Sequence, residues 1–220
     1  MSTGKFITFE GGEGAGKSTQ VRLLSNSLQR LGKKVVMTRE PGGSLKAESI
    51  RKLLLEGRVA KFGPFAEALL FSVARDDHLE SVIRPTLRKG SWVICDRFMD
   101  STMAYQGAGG NLPVPLIRGL ERTVVGETKP DLTILIDLPP EIGIGRAQAR
   151  QRQTTGGDAD RFESMDMNFH TRLRQAFLDI ARNEPDRCVV FEGQMPPDEL
   201  AKRIWELVVE RYSLAPNVAS

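Results

Sequence analysis

The stretch Gly11-Gly12-Glu13-Gly14-Ala15-Gly16-Lys17-Ser18 matches the pattern G-x-x-x-x-G-K-[ST] in full, and Thr19 follows it. Upstream, residues 5–9 form a short apolar run typical of a buried strand, and downstream, apolar residues recur with helical spacing over residues 19–31. In this context, backbone N–H groups and the positive end of a helix converge on phosphate oxygens. The lysine of such a loop contacts the β- and γ-phosphates, and the next hydroxyl ligates Mg²⁺. We therefore predict that residues 11–19 bind a nucleoside triphosphate with its Mg²⁺.

Length and composition indicate one globular domain over residues 1–220. No apolar run approaches the length of a membrane span, and residues 1–4 lead directly into the first predicted strand, so we expect no membrane association and no secretory signal. Cys95 and Cys188 each lie in an apolar, strand-like run, which predicts buried free thiols. Together these features favour a cytoplasmic protein.

The net charge of +3 does not indicate a nucleic-acid partner, because 31 basic residues are interleaved with 28 acidic ones and no polybasic arm occurs. A mild positive excess is equally expected where two phosphorylated ligands bind.

The alternation of strands and helices predicts the fold. Four further apolar runs, each followed by a helical segment, lie at residues 34–38, 91–96, 132–137 and 187–191. Because these runs are continuously apolar, they indicate parallel strands buried on both faces. We expect an α/β fold of the P-loop NTPase type, a three-layer sandwich in which helices flank a five-stranded parallel sheet.

Two helical regions are predicted with particular boundaries. One long helix is expected from Phe65 to about Arg88, and it carries Phe71 and Arg75 one turn apart on the same face. Helical segments are expected from Ser101 and from Val114, with residues 107–113 as a loop between them.

Polar residues follow two of the predicted strands. Residues 39–43, Arg39-Glu40-Pro41-Gly42-Gly43, come after the second strand, and Asp96-Arg97 after the third. Open α/β sheets bind ligands at the carboxyl ends of their strands. Two guanidinium groups are more than one triphosphate requires, and they suit a second phosphate held in line with the first.

Three other features of the sequence allow more than one interpretation. Asp137 also ends an apolar strand and competes with Asp96 for the metal, but Leu138-Pro139-Pro140 follows it instead of an arginine. Residues 128–131, Thr-Lys-Pro-Asp, resemble a guanine-recognition motif but precede their strand, so a turn into that strand is expected. His78 and His170 have no partner pattern nearby, which predicts surface or packing histidines.

Several motifs together resemble bacterial thymidylate (dTMP) kinases. They are residues 9–20, FEGGEGAGKSTQ; residues 38–43, TREPGG; residues 96–98, DRF; and residues 101–107, STMAYQG. The resemblance spans nearly the whole chain. It implies Mg²⁺-dependent transfer of the γ-phosphoryl group of ATP to dTMP, a step of dTTP synthesis, by a homodimer.

The resemblance assigns residues to the sugar and phosphate of dTMP. Glu13 would accept a hydrogen bond from the 3′-hydroxyl, Arg97 and Arg39 would hold the phosphate, and Arg51 would lie near the phosphate or base. Asp96 would sit near the Mg²⁺ that Ser18 ligates.

The base would be bound by a second group. By the resemblance, Phe71 would stack on thymine and Arg75 would donate to its O4, while Thr102 and Gln106 would meet the base edge and Tyr105 would lie against the deoxyribose. On its own, Phe71 in an apolar helical stripe would be assigned to the core. Its pairing with Arg75 and the family match favour the stacking role.

The family divides by the origin of its catalytic arginine. One subclass has a basic residue inside the P-loop, where this chain has Gly14, and the other uses arginines of a short mobile lid, here at about residues 146–161. The resemblance assigns transition-state contact to Arg150 and a place over the adenine to Arg146. The residues expected to act in catalysis are Lys17, Asp96, Arg97 and Arg150.

Two alternatives stay open at this stage: another P-loop kinase of nucleoside phosphates or small metabolites, and a nucleotide-gated binding module that transfers no phosphate.

Overall fold

The computed structural model describes residues 4–153 and 161–214. Its sheet has five strands, all parallel, in the order β2-β3-β1-β4-β5. The strands are β1 (Phe6–Glu10), β2 (Val35–Arg39), β3 (Trp92–Asp96), β4 (Leu132–Asp137) and β5 (Cys188–Glu192). This confirms the predicted five-stranded parallel sheet.

The helices that connect the strands cover both faces of the sheet. They are α1 (Lys17–Arg30), α2 (Leu45–Leu55), α3 (Gly63–His78), α4 (Arg84–Arg88), α5 (Met99–Thr102), α6 (Val114–Val124), α7 (Pro140–Gln153), α8 (Met167–Asn183) and α9 (Pro197–Arg211), with short 3₁₀ turns at Ala60–Phe62 and Arg161–Ser164.

Side chains of the central strands alternate between two cores. Ile7 and Phe9 of β1 pack with apolar residues of α1 and α9 on one face, whereas Phe6 packs on the other face with Val93 and Phe98. The three central strands are buried almost throughout, and β2 and β5 are partly exposed because they form the edges. Continuous apolar runs therefore marked the sheet correctly.

The long helix predicted from Phe65 is interrupted. A π-helical turn at Leu79–Ile83 separates α3 from α4. Pro85 lies in the first turn of α4 and lacks the backbone N–H that a continuous α-helix would need there. The wider π-helical turn before it accommodates the missing hydrogen bond.

The predicted loop at residues 107–113 was wrong in its first part. A π-helical segment continues α5 over Met103–Gly109, through the glycines that indicated a loop. Gly109 lies so close to α8 that a Cβ atom there would stand 2.5 Å from Cε2 of Phe169. Tertiary packing on α8 thus overrides the weak helix propensity of glycine.

Cys95 and Cys188 are buried free thiols, as predicted. Asp131 lies at the start of β4, where its carboxylate accepts a hydrogen bond from the backbone N–H of Phe6 at 2.7 Å. It therefore belongs to the predicted turn into β4, at the amino end of the strands, whereas the P-loop follows the carboxyl end of β1. Within residues 4–153 and 161–214, no helix combines the length and apolarity needed to span a bilayer.

Candidate active site

The glycine-rich loop joins the end of β1 to the start of α1. Gly11, Gly14 and Gly16 have φ angles of 137°, 64° and 93°, which are favourable only for glycine. The Nζ atom of Lys17 is buried in the loop and donates hydrogen bonds to the carbonyl oxygens of Gly11 at 3.0 Å and Gly12 at 2.7 Å. Burial and the nearby charge of Arg97 lower the pKa of Lys17 to about 8. The ammonium group of Lys17 is thus held where it could contact a bound phosphate.

Ser18 and Asp96 form the part of the site that could hold a metal. The Ser18 hydroxyl donates to Oδ2 of Asp96 at 2.5 Å, across the paired ends of β1 and β3. These are hard oxygen donors of the kind Mg²⁺ prefers. In the part of the chain that the structure describes, no three His, Cys, Asp or Glu side chains cluster as a metal site. A two-donor site fits Mg²⁺ that takes its other ligands from phosphates and water.

Asp137, the competing carboxylate, is engaged elsewhere. It accepts two hydrogen bonds from Arg174, from Nε at 2.7 Å and from Nη2 at 2.8 Å. A bidentate pair of this kind occupies both carboxylate oxygens. Both carboxylate oxygens of Asp137 are therefore engaged by Arg174, whereas Asp96 faces Ser18 beside the P-loop.

Arg97 connects the P-loop to a neighbouring cavity. Its Nη2 donates to Oε1 of Glu13 at 2.7 Å and its Nη1 donates to the Gly11 carbonyl oxygen at 2.9 Å, while the ring of Tyr105 lies 4.9 Å from its guanidinium carbon. Tyr105 also donates its hydroxyl hydrogen to Glu13. Burial alone would raise the pKa of Glu13, but the charges of Arg97 and Lys17 and the Tyr105 hydrogen bond lower it to about 2.

The backbone at Arg97 is held in an unusual conformation. Arg97 has a φ angle of 67°, in the left-handed region that non-glycine residues rarely adopt. The buried carboxyl group of Glu10 spans the turn, because it accepts hydrogen bonds from the Phe98 backbone N–H at 2.8 Å and from the Ser101 hydroxyl at 2.6 Å. Glu10, which sequence patterns did not single out, thus holds the turn that presents Arg97.

The cavity beside the P-loop brings most of the predicted substrate-binding residues together. The predicted residues that line it are Glu13, Phe71, Arg75, Arg97, Thr102, Tyr105 and Gln106. The remaining lining residues, which were not predicted, are Glu40, Pro41, Leu55, Phe98, Ser101 and Phe162. Two arginine–glutamate pairs and four aromatic rings thus line one cavity.

Arg75 is buried and tightly held within this cavity. Its Nε donates to Oε2 of Glu40 at 2.7 Å, and its Nη2 donates to the Phe98 carbonyl oxygen at 3.1 Å and to Oγ1 of Thr102 at 3.0 Å. Arginine has five N–H donors, and these bonds occupy the one on Nε and both on Nη2. Within the described residues, Nη1 has no hydrogen-bond acceptor, so its two donors are left for a ligand.

Gln106 also offers unused hydrogen-bonding capacity. The residue is buried, and its Nε2 has no hydrogen-bond partner among the residues that the structure describes. Buried polar groups in proteins are normally satisfied. A ligand acceptor in the cavity would satisfy this one.

Two predicted substrate-binding arginines do not line the cavity. Arg39 is exposed, and its Nη2 donates to both carboxylate oxygens of Glu48 at 3.1 Å. Arg51 donates to the Pro41 carbonyl oxygen at 2.8 Å and so supports a loop that does line the cavity. Arg39 lies opposite Asp96 in the sheet register, and the sequence pattern did not indicate its pairing with Glu48.

The arginines of the predicted lid lie on α7 and just after it, while residues 154–160 fall outside the described residues. Arg146 donates to the Gly193 carbonyl oxygen at 3.1 Å, next to the end of β5. Arg150 is exposed and donates to Oε1 of Glu163 at 2.8 Å. In this conformation neither guanidinium lines the cavity.

The two histidines differ in their surroundings. His78 is fully buried, and it has hydrogen-bond partners that the sequence pattern did not indicate: Nδ1 lies 3.0 Å from Oε1 of Glu40 and Nε2 lies 2.6 Å from Oγ1 of Thr38. A signal existed, because His78 follows Arg75 by one helical turn and therefore shares its face. His170, in contrast, packs edge-on against Phe169, as expected of a packing histidine.

Comparison with known proteins agrees with this geometry. A family model described as "Thymidylate kinase" matches residues 9–204. The chain belongs to the thymidylate kinase family. It is 53% identical to the thymidylate kinase of Caulobacter vibrioides, over 97% of this chain and 100% of that protein. It is 49% identical to that of a Bradyrhizobium species, over 99% and 95%.

A solved thymidylate kinase structure, from Ehrlichia chaffeensis, is similar with a TM-score of 0.74 and 35% sequence identity. The match covers 94% of this chain and 99% of that chain. These findings confirm the resemblance drawn from the motifs and the P-loop fold.

The packing of α7 explains why this family member has glycine inside its P-loop. A Cβ atom at Gly14 would lie 2.1 Å from the carbonyl oxygen of Gly143, and one at Gly143 would lie 2.3 Å from the carbonyl oxygen of Glu13. No side chain, basic or otherwise, fits at position 14 without moving α7. The same contact joins the P-loop to the helix that carries Arg146 and Arg150.

This contact predicts the effect of Gly143→Ala. The new methyl group must push α7 away from the P-loop, and overpacking of this kind costs about 1–3 kcal/mol. We expect a lower free energy of unfolding in urea and weaker ATP binding by calorimetry.

Gly145→Ala is the matched control, since Gly145 lies on the same helix and a methyl group there would meet no atom of another element within 4 Å. There, alanine should stabilise the helix by about 0.5–1 kcal/mol. Equal stability changes in the two variants would contradict the close contact.

Proposed function

We propose that this protein transfers the γ-phosphoryl group of ATP to dTMP and gives dTDP and ADP. The observation that carries the proposal is the double contact of Arg97, which binds the P-loop carbonyl of Gly11 and also lines the cavity with Glu13. One guanidinium thus stands between a triphosphate site and a second site that is suited to a nucleoside monophosphate.

The P-loop residues would hold the donor. Backbone N–H groups of residues 11–19 and the start of α1 would surround the phosphates of ATP. The negative charge of the triphosphate would favour the ammonium form of Lys17 and raise its lowered pKa again. Ser18 and Asp96 would hold Mg²⁺, directly or through water, and Mg²⁺ supplies charge neutralisation of the phosphates when bound.

Glu13 and Arg97 would hold the sugar and phosphate of dTMP. Oε1 of Glu13 is occupied by Arg97 and Tyr105, whereas Oε2 accepts no hydrogen bond from the described residues and can accept one from the 3′-hydroxyl. Arg97 uses both N–H groups of Nη1, and one of Nη2, on protein oxygens, which leaves Nε and one Nη2 hydrogen for a phosphate. Arg39 would reach that phosphate only by exchanging its bond to Glu48.

The base would lie between Phe71 and the polar groups of the cavity. Phe71 is partly buried beside an aromatic cluster that includes Tyr105 and Phe162, so one of its faces can stack on thymine. The two free donors on Nη1 of Arg75 suit the O4 carbonyl, and Gln106 and Thr102 would meet the base edge. Arg51 would act by holding the loop at Pro41.

Catalysis would consist of positioning and charge neutralisation. The attacking group is already a phosphate monoester dianion, so the reaction needs no strong general base and no covalent intermediate. Lys17, Arg97 and Asp96 with its Mg²⁺ would stabilise the charge that spreads over the transferring phosphoryl group.

We expect dTMP to be the best acceptor, dUMP to be weaker, and dCMP to be very poor. Arg75 has only donors, so the amino group of cytosine would leave both the ligand and the protein with unpaired donors. A site built on such a hydrogen bond discriminates by up to about 10⁴–10⁵-fold.

Coupled ADP release with each nucleoside monophosphate measures this order and separates the alternatives. Equal turnover of dCMP and dTMP would contradict the thymine assignment. Preference for another monophosphate would indicate a different P-loop kinase, and nucleotide binding without ADP release would indicate a binding module.

The lid would supply the arginine that position 14 cannot carry. Arg150 is bonded to Glu163 in the present conformation, so it would have to exchange that bond for the phosphoryl group as ATP binds. A contact made only in the transition state raises kcat without tightening ground-state binding. Arg146, which lies near the loop after β5, would cover the adenine.

Arg150→Ala should therefore lower kcat by roughly 10²–10³-fold, about 3–4 kcal/mol, with little change in either KM. Arg152→Ala on the exposed end of the same helix should cost far less. Steady-state kinetics on both variants decides the matter. A large loss of kcat in Arg152→Ala instead would assign the catalytic role to Arg152. An unchanged kcat in both variants would exclude a catalytic lid arginine at these two positions.

The protein would act as a homodimer in the cytoplasm. A stripe of exposed apolar side chains, Phe65, Leu69 and Val73, recurs every four residues along α3 and favours burial against a second copy. Buried free cysteines are typical of proteins in reducing compartments.

Light scattering after gel filtration should give twice the mass of one chain. Leu69→Glu places a charge in the α3 stripe and should give monomers, because an unpaired charge is costly in an apolar interface. Met167→Glu, at an exposed apolar residue that begins α8, is the control and should remain dimeric. A monomeric wild-type protein would exclude the assembly.

A further inference from the structure

A chain of hydrogen bonds runs from the end of β2 to the base-binding part of the cavity. Oγ1 of Thr38 lies 2.6 Å from Nε2 of His78, and Nδ1 of His78 lies 3.0 Å from Oε1 of Glu40. The other oxygen of Glu40 accepts from Nε of Arg75 at 2.7 Å. Glu40, Arg75 and His78 are all at least nine-tenths buried. Of these three residues, Glu40 and Arg75 line the cavity and His78 does not.

The ion pair assigns one proton of this chain. The Glu40 carboxylate in its ion pair with Arg75 can only accept, so Nδ1 of His78 carries a proton and donates it to Oε1. Nε2 meets the Thr38 hydroxyl, which can donate to it or accept from it. Both ring nitrogens of the buried histidine therefore have a hydrogen-bond partner.

The loop after Pro41 closes directly over this chain. Gly43 has a φ angle of 82°, and a Cβ atom there would lie 2.4 Å from Nε2 of His78 and 2.3 Å from Oγ1 of Thr38. The ring and the hydroxyl therefore have little room to move apart. The histidine is clamped on the side away from Glu40.

Clamping the histidine determines the direction of Arg75. The guanidinium is planar, so fixing Nε on Glu40 and Nη2 on Phe98 and Thr102 also fixes where Nη1 points. Without a donor at Oε1, Arg75 alone among the described residues would hold the Glu40 carboxylate, whose last torsion is broad. The Nε anchor of Arg75 would then no longer have a fixed direction.

We propose that His78 is a positioning residue for base recognition: held by Thr38, it fixes the Glu40 carboxylate and thereby the direction in which Arg75 presents its remaining donors to the acceptor base. The inference rests on the proposed function, in which Arg75 binds O4 of thymine. It adds a second layer of residues, behind the cavity, that sets the preference for a carbonyl over an amino group.

Two substitutions separate the two ring nitrogens. The amide nitrogen of Asn is as many bonds from the backbone as Nδ1, and that of Gln as many as Nε2. His78→Asn therefore keeps a donor for Glu40, whereas His78→Gln places its amide toward Thr38 and leaves Oε1 without a donor.

The measured quantity is the ratio of kcat/KM between acceptors. We expect His78→Gln to lower the dTMP-to-dCMP ratio by about tenfold or more, within the range that a misplaced hydrogen bond can remove. His78→Asn should keep the ratio within about threefold of wild type, a difference of under one kcal/mol. KM for ATP should not change in either variant.

Two controls distinguish positioning from a general loss of structure. The dTMP-to-dUMP ratio should stay the same in His78→Gln, because both bases present the O4 carbonyl and differ only in the methyl group. His170→Gln makes the same substitution at a buried histidine outside the chain of hydrogen bonds and should keep all ratios. An equal loss of kcat/KM for dTMP, dUMP and dCMP in His78→Gln would overturn the proposal.

Arg75→Ala separates failure of this inference from failure of the proposed function. If Arg75→Ala leaves the dTMP-to-dCMP ratio unchanged, Arg75 does not recognise the base and both assignments fall. If Arg75→Ala lowers the ratio and His78→Gln does not, only the role of His78 falls. Should His78→Gln fail to fold by circular dichroism, Thr38→Val removes the other anchor of the ring, and an unchanged ratio there also overturns the proposal.

Discussion

The parallel pairing of β1 with β3 is the constraint on which the rest of the site depends. Phe9 of β1 lies opposite Asp96 of β3, and the backbone N–H of Arg97 donates to the Phe9 carbonyl oxygen at 2.9 Å. The P-loop and the Asp96-Arg97 turn therefore both begin at the carboxyl end of the sheet, and they contact each other there. Because side chains alternate along a strand, a shift of one residue would turn Asp96 to the other face of the sheet and away from Ser18.

Buried ion pairs then hold the side chains of the site in their directions. Glu13 pairs with Arg97, Glu40 with Arg75, and Asp100 with Arg187. Burying charges is costly, and it is tolerated only where the pair is well aligned and its other polar atoms are satisfied. In the two pairs that line the cavity, each guanidinium keeps donors that protein oxygens do not occupy. The pairs thus preorganise the site for a ligand instead of closing it.

The contact between Gly14 and Gly143 links two features that are distant in sequence. It excludes a side chain from the middle of the P-loop, and it seats the base of α7 against the same loop. Any cationic group for the transferring phosphate must then come from elsewhere, and α7 carries arginines further along its exposed face. The close approach of the two backbones thus excludes a side chain at position 14 and places the arginine-bearing helix α7 beside the P-loop.

The sequence by itself determined the P-loop and the parallel sheet, because continuous apolar runs and glycine spacing are local patterns, whereas most of the cavity lining, including Phe71 and Arg75, was indicated by the resemblance to a known family. Local patterns failed at Gly109, where packing on Phe169 extends a helix through glycine, and at His78, whose partners Thr38 and Glu40 lie about forty residues earlier. Only the tertiary structure decided that Asp137 pairs with Arg174 and that Arg39 pairs with Glu48. Which charges meet depends on distances between elements, and those distances are set by packing that no single segment encodes.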